Sequence, residues 1–132
     1  RGPVVVTSET ALPASLEPFT LRIPPEQFHH VLAFADRCVG ESATVASEAA
    51  VLGVPAIYVA RTGRGYVSEE EERYGLARWC RTASAAHAVL DAWDRDGDLK
   101  PLWAGRRARM LREKVDVTTW MMENVFRPCA AS

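Results

Sequence analysis

The sequence predicts an α/β domain in which helices cover a small parallel sheet. Two observations carry that expectation. Short β-branched or apolar runs alternate with stretches of helical periodicity, and glycines, prolines or polar turns punctuate the alternation. Strands separated by helices pair in parallel through crossovers, and ligands then bind beyond their carboxyl ends.

The elements follow in order. Val4 to Thr7 is a β-branched run and reads as a strand. Residues 8–25, with Pro13, Pro18, Pro24 and Pro25, read as an extended loop. Pro24 and Pro25 then open a helix whose buried face is Phe28, Val31, Leu32 and Ala35. Arg37 to Gly40 is a short strand. Thr44 to Leu52 is a helix stopped by Gly53, and Pro55 to Ala60 is an apolar strand. A glycine-containing loop, Thr62 to Gly65, precedes an acidic helix from Ser68 to Tyr74, with Ser68 as its N-cap and Gly75 as its stop. Leu76 to Arg81 reads as a last strand, and Ser84 to Trp93 as an amphipathic helix. Pro101 to about Phe126 is one long helix, or two broken near Asp116. Residues 1–126 then form one Rossmann-like three-layer domain, and residues 127–132 a tail.

Composition narrows the function classes. The chain has 132 residues, 48% of them hydrophobic and 25% charged, with a net charge of -1. That balance offers no electrostatic case for nucleic acid or an anionic membrane. No run reaches the ~18 apolar residues of a membrane span. No secretory leader pattern is present, so a cytoplasmic location is expected. Cys38, Cys80 and Cys129 are odd in number and lack CxxC spacing, which argues against a disulfide framework or a zinc site. They read as core residues of a reducing compartment. Because Pro3-Val4-Val5-Val6 enters a strand almost at once, the chain is expected to be a fragment lacking an N-terminal part.

The chemistry concentrates in residues 40–59. Ser42, Ala43 and Thr44 form a small-residue turn at a strand end, where the opening N–H groups of the next helix lack intrahelical partners and its dipole favours an anion. Glu48 lies one turn on, on a helix otherwise apolar all round (Val45, Ala46, Ala49, Ala50, Val51, Leu52). A carboxylate buried there needs a partner. Its side chain leans toward the helix start, where it would accept hydrogen bonds from a ribose diol or pair with Arg61 or Arg64. Arg61, Arg64, Gly63 and Gly65 form a loop in which an arginine can clamp phosphate. His29 flanks the buried face of its helix and is a candidate ligand contact, while His30 points away. Neither has a companion at metal-ligand spacing, and no metal or other cofactor is expected. The Glu69–Glu72 run reads as a solvated helix face.

Ser42-Ala43-Thr44 with Glu48-Ala49-Ala50 and Leu52-Gly53-Val54-Pro55-Ala56 resembles the donor-nucleotide segment of GT-B proteins, as in UDP-N-acetylglucosamine 2-epimerases and peptidoglycan N-acetylglucosaminyltransferases. A broader set is similar to an uncharacterised prokaryotic family of the same group, common in archaea. It comprises Ser8-Glu9 with Leu12-Pro13, Ile23-Pro24-Pro25 with His29, Gly40-Glu41-Ser42, the Glu48–Gly53 stretch, Glu72-Arg73-Tyr74-Gly75-Leu76 and Lys114-Val115-Asp116-Val117-Thr118. The resemblance implies the C-terminal half of a GT-B fold. It implies diphosphate binding at Ser42, Ala43 and Thr44, and ribose binding at Glu48. It implies a nucleotide sugar, UDP-linked, as partner, and an N-terminal domain that carries the catalytic acids. The fragment alone is then expected to turn nothing over. The C-terminal helix would cross to that missing domain or, in the isolated fragment, support a homodimer. The family usually has glycine where Ala43 stands, which leaves a non-catalytic binding or scaffold domain as the rival reading.

Overall fold

The computed structural model describes residues 2–126. Residues 127–132, including Cys129 and the expected tail, lie outside them. The chain divides at the Val31–Leu32 junction into two units.

In the first unit the expected Val4–Thr7 strand is reduced to a single parallel bridge between Val6 and Thr20. The Val6 N–H donates to Phe19 (2.7 Å) and the Leu21 N–H to Val6 (2.9 Å). β-Branched residues favour extended backbone, but only a paired neighbour over several residues makes a sheet of it, and Val4 and Val5 remain exposed. The prolines at 24 and 25 lead into a 3-10 turn, Pro25–Gln27, and helix α1 (Phe28–Phe34) starts after it. Of the expected buried face, Leu32 is buried while Phe28, Val31 and Ala35 are half-buried.

The second unit is built on β1 (Cys38–Gly40), β2 (Ala56–Val59) and β3 (Ala77–Cys80), parallel and in that spatial order. Ala56 pairs with Cys38 on one side and Ala77 on the other. Ala56, Ile57 and Tyr58 are buried consecutively, so both faces of β2 are covered. This is a Rossmann-like α/β arrangement. β3 presents its outer edge, and there Glu71 accepts the Trp79 N–H at 2.9 Å and the Arg78 guanidinium at 3.3 Å. The carboxylate occupies a donor that another chain could otherwise pair with.

Helix α2 (Ala43–Leu52) joins β1 to β2 and buries Ala46, Ala49 and Ala50, three positions that share one face. Gly53 ends it in the left-handed conformation, φ 84°, donating to Ala49 and Ala50. Helix α3 (Gly65–Glu69) continues directly into a π-helical turn, Glu70–Tyr74, which Gly75 stops at φ 65°. Ser68 therefore lies inside this helix and does not cap it. The chain leaves the loop at Arg64, and Tyr66 and Val67 are already helical, with Val67 fully buried.

Helix α4 (Ala83–Asp96) is capped by Thr82, whose hydroxyl accepts from the Ala85 N–H at 3.2 Å. Helix α5 (Lys100–Glu113) follows, and Trp103 meets Trp93 of α4 edge to face at 5.3 Å. The long C-terminal helix breaks at Asp116, whose carboxylate accepts the Thr119 N–H at 3.1 Å and caps α6 (Val117–Met121). A π-helical turn, Met122–Phe126, continues α6. Among the described residues no helix is long and apolar enough to cross a membrane. Cys80 is buried and Cys38 half-buried, and burial pushes both thiols up, away from the reactive thiolate.

Candidate functional site

Three chain segments leave the sheet at its carboxyl edge. After β1, Ser42 takes the N-cap position of α2 with φ -85° and ψ 111°. Its hydroxyl accepts the Val45 N–H at 3.3 Å. Ser42, and not Thr44, is thus the cap, and Thr44 is an exposed residue of the first turn. The N–H groups of Ala43 and Thr44 precede the first N–H that has an acceptor within the helix, that of Ala46. Ala43 is helical, and among the described residues no non-glycine residue has positive φ. The turn therefore makes no demand for glycine at 43.

After β2, the chain forms a loop that its own sheet holds. The Trp79 indole N–H donates to the Ala60 carbonyl at 2.9 Å, and the Tyr58 hydroxyl donates to the Thr62 carbonyl at 3.3 Å. A Cβ on Gly63 would stand 3.1 Å from the Trp79 ring, so glycine lets the loop lie flat on the indole. Arg64 donates to Thr62 and Gly63 of its own loop. Arg61 is exposed. After β3, Arg81 lies over the Trp79 ring, 5.1 Å from its centroid. Because Gly40, Tyr58 and Trp79 are in register, Ser42, Arg61 and Arg81 belong to one edge. Trp79 and Arg81 escaped the sequence reading. The signal was partial: both close the Leu76–Arg81 run that reads as a strand, while the register that sets Arg81 on this edge is not in the sequence pattern.

Glu48 is half-buried and engaged within the protein. Among the described residues the buried carboxyl group is Glu70, 7% exposed, in the π-helical turn. The Ser47 hydroxyl donates to its Oε1, and burial holds its pKa above the usual carboxylate range. The acidic run is accordingly not a uniformly solvated face. Glu70 is buried, Glu69 and Glu71 are half-buried and Glu72 is exposed. His29 belongs to the first unit, exposed, with its ring edge-on to Phe28 at 5.8 Å. Among the described residues no group of three or more His, Cys, Asp or Glu side chains is placed to hold a metal ion.

A cleft of about 330 Å³ opens at the opposite end of the sheet, beside Gly75 and the start of β3. No family model, curated protein or solved structure matches the chain.

Proposed function

We propose that the carboxyl edge binds the diphosphate of a nucleotide sugar, UDP-linked, and that the chain is the nucleotide-sugar half of a glycosyltransferase- or epimerase-like protein. The observation that carries this reading is the Ser42-capped start of α2, placed at the end of β1 beside the Arg61 loop. The Ala43 and Thr44 N–H groups and the helix dipole would hold one phosphate, and Arg61 or Arg81 would neutralise the other. Glu48, one turn into the same helix, would accept from the ribose hydroxyls. The chemistry at this edge is electrostatic: it steadies a leaving diphosphate as negative charge builds on it. The base, the acceptor and the surface facing this edge would belong to another domain. Trp120, Met122, Val125 and Phe126, 42–53% exposed, would supply apolar surface for it or for a second copy.

Titration of the chain with UDP and UDP-N-acetylglucosamine, followed by amide chemical shifts, tests the proposal. Shifts centred on residues 42–45 and reduced in Glu48→Ala support it. No response at millimolar ligand withdraws it in favour of a non-catalytic scaffold.

A further inference from the structure

The cleft at the amino edge has a second and unrelated chemistry. Its floor is rigid. The Trp103 indole N–H donates to the Leu76 carbonyl at 2.9 Å, and Trp93 closes against the Trp103 ring. The Arg106 guanidinium lies over Trp103 at 4.4 Å and donates to the Gly75 carbonyl at 2.7 Å. Gly75 permits that approach, since a Cβ there would meet the guanidinium at 3.3 Å.

Four charges line the cleft, two of each sign: Arg78 and Arg106, Asp96 and Asp98. Among the described residues no ion pair joins them across it. Arg78 pairs outward with Glu71 at 3.3 Å. Asp98 accepts the Lys100 N–H at 3.0 Å. Arg106 has a carbonyl and a ring but no carboxylate, and burial and the neighbouring charge of Arg78 push its pKa down. A partly buried guanidinium gains most from an anion that reaches it. An anion alone would also meet Asp96 and Asp98, and a cation alone would meet the arginines. Leu99 and Leu102 complete the lining with apolar surface.

We propose that this cleft binds a small zwitterion, a free α-amino acid with an apolar side chain. Its carboxylate lies on Arg106 and Arg78, its ammonium faces Asp96 and Asp98, and its side chain covers Leu102. The cleft's volume falls in the range of small-molecule sites, at the lower end.

The test uses L-leucine, with N-acetyl-L-leucine and L-leucinamide as probes that each lack one charge. The readouts are tryptophan fluorescence and the Trp103 indole N–H shift. L-Leucine is expected to shift the Trp103 signal saturably, and each analogue to bind about tenfold more weakly or worse. Arg78→Ala and Asp96→Asn change exposed side chains, and each is expected to weaken L-leucine about tenfold while circular dichroism and melting stay as in the parent. Silence toward L-leucine at tens of millimolar, equal binding of either analogue, or indifference of both folded variants overturns the proposal. The UDP titration reads the other edge, so either idea can fail alone.

Discussion

Ser47 of α2 donates its hydroxyl proton to Oε1 of Glu70, while Oε2 of the same group is buried with no partner among the described residues. The bond joins α2 to the π-helical turn after α3. Burial of the group favours the protonated carboxyl, and the Ser47 bond opposes that only in part.

Stability should therefore fall with rising pH through this group. In the unfolded chain Glu70 loses its proton near 4.5, whereas burial keeps it on in the native chain to higher pH. The native state holds more protons in between, so the contribution is complete below about 4.5 and is lost as pH rises through the native value. Asp36, Glu69, Glu113 and Asp116 are lowered, chiefly by the hydrogen bonds they accept, and act in the opposite sense. Urea unfolding of the parent and Glu70→Gln between pH 4 and 8 separates the terms: the difference between the two curves should shift in the variant's favour as pH rises.

Ser47→Ala removes the donor to the buried Glu70 carboxyl. The expected cost is about 1–3 kcal/mol at neutral pH, read from the urea midpoint. It should shrink toward pH 4.

At the carboxyl edge the arginines differ in what already occupies them. Arg61 and Arg64 are both exposed, but Arg64 spends its guanidinium on Thr62 and Gly63 of its own loop. Arg61→Ala is expected to weaken UDP about tenfold, roughly 1.4 kcal/mol, and Arg64→Ala to change it less. Isothermal titration measures both.

Ser42→Ala tests the cap apart from any ligand. It should cost about 1 kcal/mol of stability, with the loss of helix order confined to the first turn of α2 in hydrogen exchange.

Gly53→Ala and Gly75→Ala should each cost about 1–2 kcal/mol. Both positions have positive φ, and at Gly53 a Cβ would also stand 2.9 Å from Arg107 Cδ. Thermal melting checks the pair, and Gly75→Ala should in addition displace Arg106 and abolish the response to L-leucine.

Much of this fold was legible because local signals agreed. β1, α2, β2, β3 and α4 each had an apolar run, a cap or a glycine stop at the right place, and Asp116 announced the break after α5. Two readings failed where tertiary pairing decided. Val4–Thr7 had the composition of a strand without a strand to pair with. Ser68 looked like a cap because the acidic residues after it suit a first turn, yet the helix had begun at Gly65. The search for a buried carboxyl was sound in its physics and met at Glu70 in place of Glu48. The Glu69–Glu72 run reads as a solvated face from its charge alone, but four consecutive helical residues point all round the axis, and Glu70 is the one that turns inward. Arg81 and the amino-edge cleft depend on strand register and on the α4–α5 turn, neither of which a periodicity scan contains.

The indole of Trp79 fastens the loop after β2 from beneath, through Ala60 and Gly63, and carries Arg81 on its ring. One aromatic side chain thus sets the posture of a rim that it need never touch a ligand to govern. On the proposed reading of that edge, replacing it would surface as lost affinity among neighbours that were left unaltered, and alanine scanning would mistake a foundation for a contact.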